Sequence, residues 1–125
     1  MLRPSSQGGS NYAEGGAVTR PPLDPLFNTA DQLATYLNAT GGRADGNGLY
    51  LHWVGANDVA ARLTAVSTSV AAATAQVKAL LAAGAGAVIV PTVPPLGETP
   101  LMMQAVLGAL GPASEAALAE QLYRA

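Results

Sequence analysis

Two short apolar runs, residues 49–54 and 87–90, constrain the fold of this chain more than anything else in it. Gly55 closes the first and Pro91 closes the second, so each is of strand length and each stops abruptly. Strands that are apolar at successive positions are expected to be buried on both faces, as in parallel sheets lined by helices. What joins the two runs is helical. Val59, Leu63, Val66, Val70, Ala73, Val77 and Leu80 recur at alternating spacings of four and three, which makes one continuous seam along a helix. Residues 67–69 are its weak point, where it would bend or break, and Gly84 and Gly86 end it.

The flanking segments extend the same order. Asn28 or Thr29 reads as a helix N-cap with Asp31 in the first turn. Leu33, Tyr36 and Leu37 fall on one face of that helix, and Gly41 with Gly42 stops it. Residues 45–48 form a turn before the first strand. Beyond the second strand, residues 91–100 are a proline-rich loop. Thr99 and Pro100 then start a helix that runs to about Leu110. Pro112 opens a last helix with Leu118 and Leu122 on one face. Helix, strand, helix, strand, helix is an α/β order with a parallel sheet. Sheets usually hold about five or six strands, and two are legible here, so the chain is expected to be part of a domain. Within it, residues 1–25 are rich in proline and glycine and read as irregular, with residues 11–13 as a short extended piece. Residues 26–125 are the α/β portion.

Composition narrows the functions available. The net charge is −2, and 11% of the 125 residues are charged. That leaves no basic patch for a nucleic acid. With no cysteine there is no disulfide or thiol chemistry. Residues 1–10 are polar and glycine-rich, without the apolar segment of a signal peptide. No apolar stretch approaches the ~20 residues that span a bilayer, and residues 59–87, interrupted by Arg62, Gln76 and Lys78, read as soluble helix. Asp24, Asp31, Asp45 and Glu98 do not form a metal-ligand cluster, and no phosphate-binding glycine loop follows a strand. No cofactor is implied.

Two segments carry chemistry. One is Gly9-Ser10-Asn11-Tyr12-Ala13-Glu14-Gly15-Gly16-Ala17; the other is Gly55-Ala56-Asn57-Asp58 at the end of the first strand. Ligands of open α/β sheets bind beyond the carboxyl ends of the strands. The Asn57 amide offers two N–H donors without a charge, the kind of group that stabilises an oxyanion. Gly15 or Gly16, with no side chain in the way, can present a backbone N–H as a second donor. Taken singly, the tetrapeptide is equally a helix cap through Asn57 or Asp58, and the first segment is a glycine-rich loop. His52, Tyr50 and Trp53 read as strand packing, and Met102 and Met103 as core filling or the wall of an acyl pocket.

In this order and together, the two segments resemble the second and third conserved blocks of the SGNH (GDSL-type) hydrolase family. The third block there is Gly-x-Asn-Asp. The stretch from Gly84 to Pro100, a buried strand running into a proline-rich loop, is similar to the same family. The resemblance implies a three-layer α/β/α flavodoxin-like fold with a parallel sheet, present here as a partial domain incomplete at both ends. It also implies an oxyanion hole made by Asn57 and Gly16, with Gly15 the neighbouring candidate, and a structural, turn-fixing Asp58. The family's nucleophile lies in a Gly-Asp-Ser segment and its base in an Asp-x-x-His segment; neither occurs in this sequence. Ser5, Ser6, Ser10 and His52 do not match those positions. The chain is therefore expected to supply the oxyanion segments of a carboxylic ester hydrolase acting on a small-molecule or lipid ester, and to be inactive alone. A non-catalytic ligand- or protein-binding α/β module is the alternative. The family suggests a secreted or cell-envelope setting.

Overall fold

The computed structural model describes residues 3–20, 27–61 and 65–110. Four helices and two strands follow in the order α1 (Thr29–Ala39), β1 (Leu49–Leu51), α2 (Ala56–Ala61), α3 (Val66–Ala82), β2 (Ala87–Ile89) and α4 (Pro100–Leu110). The helix expected from Pro112 lies outside the described residues. Residues 1–93 and 94–125 form two compact units.

β1 and β2 pair in parallel, Leu49 with Ala87, Tyr50 with Val88 and Leu51 with Ile89, and the His52 N–H extends the ladder to the Ile89 carbonyl at 2.9 Å. The α/β order read from the sequence is the order observed. Gly86 lets the strands converge: a Cβ there would overlap the Gly46 carbonyl. The local signals act as expected in α1. Asn28 caps it, its Oδ1 accepting the Asp31 N–H at 2.9 Å. At the other end, Gly42 turns left-handed at φ +80° and returns its N–H to the Leu37 carbonyl at 2.7 Å.

α1 and α3 lie against one face of the sheet. Tyr36 of α1 meets Tyr50 edge-on at 5.7 Å, their hydroxyls 2.7 Å apart. The Thr29 hydroxyl donates to Gln76 Oε1 of α3 at 2.7 Å. On the other face Leu49, Leu51 and Ile89 are 69%, 66% and 48% exposed. This differs from the burial on both faces that their apolar character predicts. A run of apolar residues fixes that a strand forms; it does not fix what lies over each side.

The seam from Val59 to Leu80 is not one helix. Asp58 and Ser69, 11 residues apart, hydrogen-bond at 2.9 Å. In a straight helix they would stand about 16 Å apart along the axis, so the chain must turn between α2 and α3, ahead of the break expected at residues 67–69. The buried stripe of α3 is also rotated from the apolar one. Ser69, Gln76 and Leu80 are buried, while Val66 and Val70 are exposed. Leu63 lies outside the described residues.

In the second unit, Thr99 and Pro100 open α4 as predicted. The Thr99 hydroxyl donates to the Leu96 carbonyl at 2.7 Å, and the Met103 N–H reaches the Thr99 carbonyl at 2.9 Å. Met102 and Met103 are half-buried. No helix of the described residues is long and apolar enough to cross a membrane.

Candidate functional site: an asparagine and a glycine loop at the end of β1

β1 ends at Leu51, short of the Val54 expected, and residues 52–54 lead on to Gly55, whose φ of +107° suits glycine, and whose Cβ position would stand 3.2 Å from Val93 Cγ2. The chain enters α2 at once, so Asn57 and Asp58 fall inside the helix rather than ahead of it. Neither acts as the cap of a helix beginning at Val59. Their side chains turn instead toward residues 17–19, some 40 positions earlier.

Asn57 Nδ2 donates to the Ala17 carbonyl at 2.9 Å. That single bond brings together the two segments singled out in the sequence. Gly16, the residue before Ala17, adopts φ +81° and has open space where a side chain would be; Gly15 has open space too. Both are exposed, so their backbones are approachable from solvent. Tyr12, from the same segment, packs edge-on against Tyr36 at 5.5 Å and ties the loop to α1.

Asp58 takes the neighbouring residue. It is 3% exposed. Its two carboxyl oxygens share the Thr19 N–H at 3.2 and 3.1 Å. One of them also accepts the Thr19 hydroxyl at 2.6 Å and the Ser69 hydroxyl at 2.9 Å. Asp58 thus has a structural role, and what it fixes is the 17–19 segment and the α2–α3 turn together. Thr19 is the most deeply buried side chain among the described residues, at 1% exposure. Its carbonyl accepts from Gln76 Nε2 at 2.6 Å. Thr19, Ser69 and Gln76 are the site-building residues that the sequence reading passed over. No local signal sets the last two apart, since α3 also carries Ser67, Thr68, Thr74 and Lys78 among its apolar residues.

Beside this cluster is a half-open cavity of about 140 Å³, walled by Val54, Val59, Val66, Val70 and Val93, with Asp58 and Ser69 at one side. His52 lies on the covered face of β1. Its Nε2 is buried without a hydrogen-bond partner, as is Gln32 Nε2. Burial pushes the His52 imidazole below its ordinary pKa, with the Gln76 side chain acting in the opposite direction. Tyr50 is held above its ordinary range, first by desolvation and then by its bond to Tyr36. Ser5 and Ser6 sit in a short 3-10 turn, Ser5–Gln7. Among the described residues, no group of three or more acidic or histidine side chains is placed to hold a metal ion.

Comparison with known proteins identifies what the arrangement is similar to. The GDSL-like Lipase/Acylhydrolase family profile matches residues 2–124. "Lipase 1" of Photorhabdus luminescens is 48% identical, the match covering 89% of this chain and 18% of that protein. The chain thus spans under a fifth of the length of that relative. No solved structure matches significantly.

Proposed function

The chain belongs to the GDSL-like lipase/acylhydrolase family, and from that premise we propose that it supplies the oxyanion-hole side of a serine ester-hydrolase site. The observation that carries this reading is the bond from Asn57 Nδ2 to the Ala17 carbonyl at 2.9 Å. A primary amide has two N–H groups. With one held on Ala17, the plane of the amide is set and the second N–H becomes a fixed donor beside the Gly16 turn. The Gly16 N–H is the partner donor on this reading, with Gly15 the alternative. Two donors held in place before the reaction stabilise the negative charge that develops on the carbonyl oxygen of an ester under attack. They cost no reorganisation when that charge appears.

The serine nucleophile and the histidine base lie outside these 125 residues on this reading, and the substrate is a carboxylic ester, small-molecule or lipid. The serine attacks the acyl carbon, the histidine takes its proton and returns it to the leaving alcohol, and water then releases the acid. No residue of the chain is asked to act as acid, base or nucleophile.

The test is a chimera in which this chain replaces the matched segment of the Photorhabdus Lipase 1. The chimera is expected to hydrolyse a p-nitrophenyl ester, and Asn57→Ala in it to lower kcat about 100-fold or more, the usual cost of one lost oxyanion donor. A folded, active chimera whose kcat is indifferent to Asn57→Ala overturns the reading.

A further inference from the structure

We infer that Gln76 and Asp58 are positioning residues for the oxyanion segment, acting through Thr19 to set the pose of the Gly16 backbone and the Asn57 amide. The inference rests on the function proposed above and adds to it the device that holds the donors in place.

The backbone of residues 17–19 is satisfied at every polar group. The Ala17 N–H goes to the Glu14 carbonyl, the Val18 N–H to the Phe27 carbonyl and the Val18 carbonyl to the Thr29 N–H. The Ala17 carbonyl is taken by Asn57. Thr19 completes the set, its N–H on Asp58 and its carbonyl on Gln76 Nε2. The base of the loop is therefore tied to α1, α2 and α3 at once. Gly16, one residue outside it, is the open left-handed turn. Glycine at such a turn has little torsional preference of its own, so the direction of its N–H is set by the turn that the Ala17 N–H closes on the Glu14 carbonyl at 3.3 Å, and the pose of that turn by the anchoring of residues 17–19.

Gln76 does this with one orientation. Its Oε1 accepts the Thr29 hydroxyl and its Nε2 donates to the Thr19 carbonyl. Flipping the amide would turn an oxygen toward the Thr19 carbonyl and lose that bond. At 7% exposure the lost bond is costly, because a buried polar group left unpaired keeps its desolvation penalty. Catalytic donors lose most of their value when displaced by about 1 Å, so a bond that fixes the segment beside them bears on the rate. A residue whose only task was to fill α3 would not need both ends of an amide committed to the segment beside the donors.

The experiment uses two readouts. In the full 125-residue chain, Gln76→Leu is expected to shift the amide signal of Gly16 and both side-chain amide signals of Asn57 in a 15N correlation spectrum. Signals of α4 serve as the internal control and are expected to stay in place. In the Lipase 1 chimera the same substitution is expected to lower kcat about 10-fold with KM nearly unchanged, the signature of a loss felt in the transition state. Gln76→Glu keeps the acceptor for Thr29 but not the donor for Thr19 and is expected to behave as Gln76→Leu does. Thr19→Ser keeps both the hydroxyl and the backbone and is expected to retain wild-type kcat. Where Gln76→Leu does not fold, Thr19→Val, which removes only the hydroxyl held by Asp58, carries the same test. The proposal is overturned if a folded Gln76 or Thr19→Val variant leaves the Gly16 and Asn57 signals and kcat as in the wild type. It is equally overturned if kcat falls only in proportion to the folded fraction. If Asn57→Ala is silent in the chimera while Gln76→Leu still moves the Gly16 and Asn57 signals, the oxyanion reading fails and the clamp geometry survives it.

Discussion

The cluster around Thr19 and the open face of the sheet invert the usual arrangement of a small protein. Among the described residues the most buried side chain is a threonine, and Asp58, Asn28, Ser69, Gln76 and Thr29 are all nearly inaccessible. The sheet meanwhile presents Leu49, Leu51 and Ile89 outward, and Trp53 just beyond β1 is 61% exposed. Burying polar groups is unfavourable unless each finds a partner, and in the cluster the partners are specified one by one. Apolar burial asks only for cover. The contrast teaches where this chain is self-sufficient. The loop beside Asn57 is fixed by bonds made within residues 14–76, whereas the apolar sheet face is a surface without cover from α1 or α3.

The largest effect should come from cutting the cluster at its centre. Asp58→Ala removes the acceptor for both donors of Thr19 and for the Ser69 hydroxyl. Leaving the two buried Thr19 donors unmatched costs about 1–3 kcal/mol each, so a loss of about 3 kcal/mol or more is expected in urea denaturation. A loss below about 1 kcal/mol would mean that the cluster is no firmer than the sheet face. Next is Gln76→Leu, which leaves the Thr19 carbonyl and the Thr29 hydroxyl with only long contacts of 3.4 Å but adds an apolar side chain of similar size; about 2 kcal/mol is expected in the same assay.

That difference in character explains what was legible in the sequence. The strands, their parallel order, the Asn28 cap, the Gly42 stop and the Pro100 start are local signals, each carried by a few adjacent residues; the cap, stop and start stand where they were read, and the strands begin there but are shorter, ending at Leu51 rather than Val54 and at Ile89 rather than Val90. The pairing of Asn57 with the residue after Gly16 was legible only through the resemblance of two motifs to one family. Nothing in their spacing implies contact. The clamp was not legible. Thr19, Ser69 and Gln76 are common polar residues, and the bonds that define them span 39 and 57 positions to Thr19 from Asp58 and Gln76. The apolar seam holds only toward the C-terminal end of α3, where Leu80 is buried and Ala73 and Val77 are half-buried, and fails at the exposed Val66 and Val70, because hydrophobic periodicity assumes that the buried stripe is apolar, and on α3 two of the three buried residues are polar. The break between α2 and α3 has the same origin: the Asp58–Ser69 bond overrides a pattern that reads as one helix.

A smaller effect joins the two regions through His52, which sits on the covered side of β1 near Gln76. Burial lowers its pKa from the ordinary 6.5, so the unfolded chain takes up the proton first. Stability contributed by the neutral imidazole is therefore complete above about pH 6.5 and is lost as the pH falls below that value toward the folded-state pKa. The melting temperature is expected to fall modestly between pH 7 and pH 5, with His52→Gln flattening that part of the profile. The effect is small because the ring is only half-buried and solvent screens the charge. An unchanged profile in His52→Gln would assign the slope to carboxyl groups, and the link between the strand and the cluster would not be electrostatic.

The smallest effect is expected where hydrophobicity alone would predict the largest. Leu49→Thr and Leu51→Thr each replace a large apolar side chain in a strand, and threonine keeps the strand preference. Two thirds of each leucine is already in water, so little transfer free energy is left to lose. At about 25 cal/mol per Å² of area buried, the change should stay within about 0.5–1 kcal/mol for either variant. Loss of concentration-dependent association should accompany it, since contiguous exposed apolar area favours self-contact. Sedimentation at two concentrations, run beside the urea titration, separates these effects. If either threonine variant costs as much as Asp58→Ala in a monomeric sample, the leucines are covered in solution and the comparison between the two regions collapses. If the cost appears only at high concentration, the cover is a second molecule, and the sheet face differs from the Thr19 cluster in needing another chain to bury it.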